Sequence, residues 1–219
     1  ILHHSFQNLI SMIKSVIPCF NGISIVFSVL VFTMMISCKS EIKTVNINGK
    51  SLKAIESNII ITEDNQQIVL NEDSISKIYY LIRHAEKDTT IKDEPPLTAE
   101  GLTRATKVAD IMRGTRVDAI YSTMTLRTMF TVDSLADIKA MQILPYENKT
   151  LKELLSSIKS SEDYNRIFIV GHSNTIPSIT NTLAGRDVFT KTFDESDYGN
   201  FVIVVEKKSG ASDVYTLRY

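Results

Sequence analysis

The stretch that decides the fold runs from Ile78 to Glu86 and reads IYYLIRHAE. Its first five residues are apolar without alternation, which is typical of a β-strand that is covered on both faces. An arginine and a histidine follow directly, at the point where this strand must end. Because ligands of open α/β sheets bind beyond the carboxyl ends of the strands, this position predicts a functional site.

Downstream of this strand, helix-like and strand-like runs follow one another along the chain. Four strand–helix units in series predict an α/β fold, namely a three-layer α/β/α sandwich with a mostly parallel central sheet. The predicted strands are 78–82, 117–121, 142–144 and 166–170, and strands 201–205 and 214–217 close the chain. One predicted helix begins after a Thr98 cap, and three others cover 126–135, 151–158 and 176–183.

Residues suited to anion chemistry follow these predicted strands. The chain beyond residue 37 has two histidines, His84 and His172, and each directly follows a strand or its terminal glycine. Arg83, Arg127 and Glu147 occupy equivalent places after the first, second and third strands. Because the carboxyl ends of parallel strands meet at one edge of a sheet, we expect these five side chains to converge.

The residue types in this set favour a phosphate site over a metal site. Arginine presents a planar fork of donors that matches phosphate oxygens, and its fixed positive charge opposes binding of a dication. A neutral histidine nitrogen can attack phosphorus and form a phosphohistidine. A second, protonated histidine can stabilise the charge on the phosphoryl oxygens, and a carboxylic acid can protonate the leaving oxygen.

Four motifs in this order resemble those of the histidine phosphatase superfamily, also called phosphoglycerate mutase-like. Together they span residues 77 to about 185, and the closing strands belong to the same expected domain. The motifs are Leu81–Glu86 (LIRHAE), Pro96–Gly101 (PLTAEG), Tyr121–Thr123 with Arg127–Thr128, and Val170–Ser173 (VGHS).

The resemblance implies a role for each matching residue. His84 is expected to be the nucleophile, and Arg83, Arg127 and His172 to bind the phosphoryl group. Asn174 is expected to add a polar contact. The family's usual glycine after the nucleophile is replaced here by alanine, a small change that the site should tolerate.

The residue that protonates the leaving group stays open at this stage. Glu147 lies 20 residues after Arg127, which is the spacing common in the family. Glu86 is an alternative, and a third possibility is that no single acid is used, as in the smallest phosphohistidine phosphatases.

We therefore predict a phosphatase that acts through a phosphohistidine and needs no metal or other cofactor. Only 88 positions separate His84 from His172, which leaves little room for the cap of a mutase. An open pocket of this kind suits a small phosphomonoester or a phosphorylated protein side chain. Two other classes remain as alternatives: a non-catalytic phosphate-binding module, and an enzyme with a metal held by two histidines and a carboxylate.

The charges are unevenly distributed along the 219 residues. The formal net charge of −1 excludes the basic character expected of a nucleic-acid-binding protein. Lys14 is the one lysine, arginine or acidic residue within positions 1–37, and the 22 residues from 16 to 37 carry no charge. About 20 apolar residues span a bilayer as a helix, so this stretch predicts a signal peptide or a membrane anchor, with a buried core helix as the third alternative.

Met35–Cys38 (MISC) resembles a bacterial lipoprotein box, which would make Cys38 the lipidated residue. We accordingly expect three regions: a signal peptide or anchor over 1–37, a tether with short strands over 38–76, and the phosphatase domain over 77–219. This organisation predicts a protein of the cell envelope that is attached to the membrane by a lipid or a helix and faces away from the cytoplasm.

Overall fold

The computed structural model describes residues 46–219. The predicted leader 1–37 and the predicted lipidation site Cys38 lie outside the described residues. From residue 46 onward the chain forms one compact unit, which therefore starts well before the boundary predicted at Lys77. Within this described part, none of the helices has both the length and the apolar character that crossing a membrane requires.

The described residues form strands and helices in the order that the sequence predicts from residue 77 onward. The strands are β1 (Leu52–Glu56), β2 (Ile59–Thr62), β3 (Gln67–Val69), β4 (Ile75–Arg83), β5 (Ala119–Thr123), β6 (Ile143–Tyr146), β7 (Arg166–Gly171), β8 (Asn200–Lys207) and β9 (Ser212–Arg218), and the helices are α1 (Ala99–Ile111), α2 (Leu126–Lys139), α3 (Leu151–Ser160) and α4 (Thr175–Ala184).

The central sheet has six strands in the order β6-β5-β7-β4-β8-β9. The first four are mutually parallel, β8 runs antiparallel to β4, and β9 runs antiparallel to β8. The predicted mostly parallel α/β sheet is therefore confirmed. The carboxyl ends of the four parallel strands share one edge, and the amino end of β8 reaches that same edge.

Strand β4 shows why its sequence is apolar without alternation. Tyr80 and Ile82 join a core cluster on one face of the sheet that includes side chains of α1 and α2. Tyr79 and Leu81 join a second cluster on the opposite face, with side chains of α3 and α4. Both faces of the strand are covered, and the three-layer α/β/α arrangement is confirmed.

The described part of the predicted tether is folded rather than extended. Strands β1, β2 and β3 form a separate antiparallel sheet, so the expectation of short strands within 38–76 fits this part of the chain. Leu52, Ile55 and Ile60 are fully buried in the cluster that contains α1 and α2. Burial of these apolar side chains is favourable, which explains why the segment packs on the domain instead of linking it to another element.

Helix α1 begins close behind the loop that follows β4. The Thr98 hydroxyl accepts a hydrogen bond from the Gly101 amide at 3.1 Å and so caps the helix, as predicted. The Thr98 amide in turn donates to the Glu86 carbonyl oxygen at 2.9 Å. A Cβ on Gly101 would lie 2.2 Å from that carbonyl oxygen, so glycine is what permits this close approach.

We predict that Gly101→Ala destabilises the protein by about 1–3 kcal/mol, the usual cost of forcing extra volume into a packed site. In an unobstructed helix the same change stabilises by about 0.5–1 kcal/mol, but here the clash is with backbone and dominates. Urea unfolding measures the difference. Gly114→Ala is the matched control, because its new Cβ would meet the flexible Glu56 side chain at 3.2 Å. Equal stability of the two variants would contradict the prediction.

Candidate active site

The end of β4 is held against β7, and this pairing sets the position of His84. Arg83 pairs with Gly171 in the parallel register, and the His84 amide continues the ladder by donating to the Gly171 carbonyl oxygen at 3.0 Å. The next amide, that of Ala85, donates to the Thr131 hydroxyl on α2 at 2.9 Å. The backbone around His84 is therefore tied to both neighbouring elements.

The hydrogen bonding of His84 identifies its tautomer. Nδ1 lies 2.8 Å from the Ala85 carbonyl oxygen, which can only accept a hydrogen bond. Nδ1 must therefore carry the hydrogen, and in the neutral ring Nε2 holds the free lone pair. The side chain also lines a solvent-accessible cavity, so this nitrogen is suited to act as a nucleophile.

Both histidines are uncharged at neutral pH. Burial, followed by the positive charge of Arg83, lowers the pKa of His84 to about 3, although the hydrogen bond to Ala85 opposes this shift. Burial and then the charges of Arg127 and Arg83 lower the pKa of His172 to about 4. A neutral ring is what nucleophilic attack by His84 requires.

His172 follows β7 directly and stands opposite His84, with the two ring centroids 5.5 Å apart. Its amide donates to the Thr175 hydroxyl at 2.8 Å, and its Nε2 lies 3.0 Å from the Thr123 hydroxyl at the end of β5. Gly171 has no room for a side chain, since a Cβ would come within 2.5 Å of the Thr175 hydroxyl. The close turn after β7 thus positions the second histidine.

A cavity of about 490 Å³ lies at this edge of the sheet. It brings together four of the predicted site residues, namely His84, Arg127, His172 and Asn174. The lining residues are His84, Lys87, Arg127, Asn148, His172, Ser173, Asn174, Thr192 and Glu195.

Arg83 lies behind this lining and is fully buried. One terminal nitrogen donates to the carbonyl oxygens of Asp194 at 2.7 Å and Asp197 at 3.2 Å, and the other donates to the Glu195 carboxylate at 2.9 Å. The guanidinium also stacks on the Tyr198 ring, 4.3 Å from its centroid. Arg83 therefore contacts the loop that precedes β8, and within residues 46–219 its Nε has no hydrogen-bond partner.

The two predicted acids lie elsewhere. Glu147 pairs with Lys149 at 2.6 Å, its side chain is 64% exposed, and it is not among the residues that line the cavity. Glu86 accepts from Arg104 Nε through both oxygens at 2.8 Å and is likewise not a lining residue. Burial acts to raise the pKa of Glu86, but the hydrogen bonds from Arg104 outweigh it and lower that pKa.

Sequence reasoning missed Glu195, Lys87 and Thr192. Among the described residues that line the cavity, Glu195 is the one carboxylate. The signal that could have identified it is the acidic run Asp194–Asp197 before β8. That run precedes an antiparallel strand, and it therefore reaches the edge at which the parallel strands end.

The donor set does not favour the alternative metal site. In the described part of the chain, no group of three or more histidine, cysteine, aspartate or glutamate side chains could hold a metal ion. His84 and His172 are instead accompanied by Arg127 and Lys87 in the cavity lining. Such an arrangement attracts an anion.

Solved structures with a similar fold include the protein histidine phosphatase SixA complexed with tungstate. That structure superposes with a TM-score of 0.52 at 13% identity, covering 64% of this chain and 96% of its own. A mycobacterial hydrolase superposes with a TM-score of 0.51 at 11% identity, covering 65% of this chain and 98% of its own. A phosphoserine phosphatase from Entamoeba histolytica, in complex with 3-phosphoglyceric acid, superposes with a TM-score of 0.50 at 18% identity. The superposition covers 65% of this chain and 97% of that one. At such identities these likenesses concern the fold alone.

No curated protein sequence matches the chain. Residues 79–154 match the family model of the histidine phosphatase superfamily (branch 1). The matched segment contains Arg83, His84 and Arg127 and ends before His172. Over this segment the chain is similar to the histidine phosphatase superfamily (branch 1).

Proposed function

We propose that this protein is a phosphatase that hydrolyses phosphomonoesters, or phosphorylated side chains of proteins, through a phosphohistidine at His84. The observation that carries the proposal is the free Nε2 lone pair of His84 in a cavity lined by Arg127 and His172. A pocket that only bound phosphate would need the positive charges but not a neutral, oriented histidine beside them.

In the first step, Nε2 of His84 attacks phosphorus, so that the N–P bond forms while the bond from phosphorus to the leaving oxygen breaks. Arg127 and Lys87 supply permanent positive charge to the phosphoryl oxygens. Arg83 adds charge from behind the cavity lining. His172, which is neutral in the free protein, gains a proton more readily once a negative phosphoryl group lies beside it, and it then donates a hydrogen bond to that group.

In the second step, water attacks the phosphohistidine, the N–P bond breaks, and inorganic phosphate leaves. The Nδ1–H of His84 stays bonded to the Ala85 carbonyl throughout, which keeps the ring in one orientation and stabilises the positive charge that it carries while phosphorylated. Nothing in this cycle requires a metal or an organic cofactor. Each step instead uses the nucleophile and the fixed charges of the cavity.

The substrate we propose is a small phosphorylated molecule or a phosphoprotein. Polar and charged side chains make up the lining, among them Lys87, Asn174 and Thr192, which suits a hydrophilic phosphorylated group. Of the proteins with a similar fold, one is a protein histidine phosphatase and another a phosphoserine phosphatase. Both names fit a monophosphorylated side chain or amino acid as the class of substrate.

We further propose that the protein acts at the cell envelope. The support is the uncharged stretch 16–37 and the lipobox-like Met35–Cys38 that ends it. Lipidation of Cys38 would attach the domain to the membrane without a spanning helix, whereas an uncleaved leader would attach it by one. Either arrangement places the phosphatase next to the bilayer and outside the cytoplasm.

The first test is hydrolysis of p-nitrophenyl phosphate in the presence of a chelator. We expect the native protein to be active and His84→Ala to lose at least about 10³-fold in kcat/KM, the scale of removing a nucleophile. A denaturing quench at alkaline pH, at which phosphohistidine is stable, with phosphate-labelled substrate should trap label on the native chain but not on the variant. The variant should still bind tungstate, because Arg127 and His172 remain.

Three outcomes of this test contradict the proposal. Activity that the chelator abolishes would favour the metal enzyme. Phosphate binding without any hydrolysis by the native protein would favour the non-catalytic module. Labelling of the His84→Ala chain would place the nucleophile at another residue.

The second prediction concerns pH. The pKa values of both histidines are lower in the folded protein than the ordinary 6.5, so the unfolded chain binds more protons below that pH. Their contribution to stability is fully present above pH 6.5 and is lost as the pH falls towards 4 and 3. In His172→Gln we expect the free energy of unfolding to depend less steeply on pH. The slope should fall by at most about 1.4 kcal/mol per pH unit, the value for one proton.

Urea unfolding at several pH values between 7 and 4 measures this slope. His84→Gln is the companion variant and should change the slope in the same direction. The comparison is between variant and native protein, because the acidic residues titrate in both and their contribution cancels. A slope that neither substitution alters would contradict a neutral state of these rings.

The third prediction concerns Cys38. Expression of the chain with its leader in a bacterial host, followed by separation of membrane and soluble fractions, should show the native protein in the membrane fraction. Cys38→Ser should move it out of that fraction, because the residue that accepts the lipid is gone. Cys19→Ser is the matched control and should partition like the native protein. Unchanged partitioning of Cys38→Ser would contradict lipidation.

A further inference from the structure

Glu195 stands in the loop between α4 and β8, and its place in the cavity is unexplained by the roles assigned so far. It lines the cavity together with His84 and His172. Its side chain is 72% exposed, so solvent and a bound substrate can reach it. An acidic side chain in a site that binds anions weakens binding, so its presence there needs an explanation.

The Glu195 carboxylate is held at both oxygens. One accepts from Arg83 at 2.9 Å, and the other accepts from the Ser173 hydroxyl at 2.5 Å. Ser173 directly follows His172 in the chain, so this second contact ties the carboxylate to the loop that carries one of the two histidines. An exposed glutamate would otherwise sample many rotamers, whereas these two partners define its position.

The loop itself is also fixed. The Phe193 amide donates to the Ser173 carbonyl oxygen at 3.0 Å, and the Asp197 amide donates to the Asp194 carbonyl oxygen at 2.9 Å. The Asp197 carboxylate accepts two hydrogen bonds from Arg218 on β9, at 2.6 and 2.9 Å. Glu195 is therefore presented by a loop that is bonded on both sides, as a group that acts on a substrate has to be.

The proposed reaction has a requirement that the cavity must meet. An alkoxide is a poor leaving group, and a positioned acid that protonates it accelerates such a step by about 10²–10⁴-fold. The attacking water of the second step in turn needs a base. Neither Glu147 nor Glu86 lines the cavity, whereas Glu195 does.

We propose that Glu195 is the proton-transfer residue of this phosphatase, an inference that rests on the proposed function. In the first step its carboxylic acid gives a proton to the leaving oxygen as the P–O bond breaks and the N–P bond to His84 forms. In the second step its carboxylate takes a proton from the attacking water as the O–P bond forms and the N–P bond breaks. The acid is thereby restored.

The free protein holds Glu195 as a carboxylate, and substrate binding supplies the reason for it to become an acid. The hydrogen bond from Ser173 lowers its pKa most, burial opposes that shift, and the Arg83 charge adds to it. A phosphoryl group that enters the cavity brings negative charge next to the carboxylate. This charge raises the pKa of Glu195, so its proton arrives together with the substrate.

The test uses two substrates that differ in their leaving group. p-Nitrophenolate leaves without protonation, whereas the alkoxide of a simple alkyl phosphate needs a proton. In Glu195→Gln we expect kcat/KM for the alkyl phosphate to fall by about 10²–10³-fold. For p-nitrophenyl phosphate we expect a change of only a few fold, and this retained activity also shows that the variant is folded.

The amide of Glu195→Gln keeps the shape of the side chain and can still accept from Arg83. Asp194→Asn is the matched control for charge, since it removes the same charge one residue away, and it should affect both substrates equally. Glu147→Gln tests the acid that the sequence predicts.

Several results would overturn the assignment. The first is an equal loss of kcat/KM for both substrates in Glu195→Gln. The second is an increase in affinity for both substrates, which would mean that Glu195 only competes with the substrate. A selective loss of alkyl phosphate hydrolysis in Glu147→Gln would transfer the role to that residue. If the native protein hydrolysed neither ester, the proposed function itself would fail, and the role of Glu195 with it.

Discussion

The burial of the Arg83 guanidinium is the constraint on which the site depends. A charge that is removed from water is stable only when its donors and its charge find partners. Here the partners come from a loop 111 positions further along the chain, which supplies the Asp194 and Asp197 carbonyl oxygens and the Glu195 carboxylate. Pairing of Arg83 thus closes the loop before β8 over the end of β4, and the cavity lies beside this closure.

The same arrangement determines the protonation states of the site. Burial of the two rings, and then the positive charge beside them, lowers both pKa values and keeps both histidines neutral, which suits His84 as a nucleophile. The hydrogen bond from Ser173, and then the charge of Arg83, lowers the pKa of Glu195 and holds it ionised in the free protein. An incoming phosphoryl group reverses these preferences, because negative charge favours a protonated His172 and a protonated Glu195. The free protein is therefore ready for attack, and the substrate itself brings about the charge state in which its leaving group can be protonated.

Sequence reasoning predicted the sheet and the part of the site that follows parallel strands, since a buried strand and a helical period are local patterns. Four residues predicted in this way, His84, Arg127, His172 and Asn174, line one cavity, and their roles stay predictions. Glu147 was predicted from its distance along the chain, but spacing does not determine where a side chain points, and Glu147 pairs with Lys149 and does not line the cavity. Glu195 escaped because it precedes an antiparallel strand. Whether a closing strand runs parallel or antiparallel depends on pairing between distant segments, which the local pattern leaves open.

The position of Glu195 also bears on the choice of substrate. A resident carboxylate repels the phosphoryl group, so it weakens binding of every substrate to some degree. For a phosphohistidine substrate the carboxylate brings little benefit, because an imidazole leaves readily without a strong acid. For a phosphate ester the acid accelerates the difficult step, and the gain in rate exceeds the loss in binding. The role that we propose for Glu195 therefore fits phosphate esters, such as those of serine or of small alcohols, better than phosphohistidine as substrates.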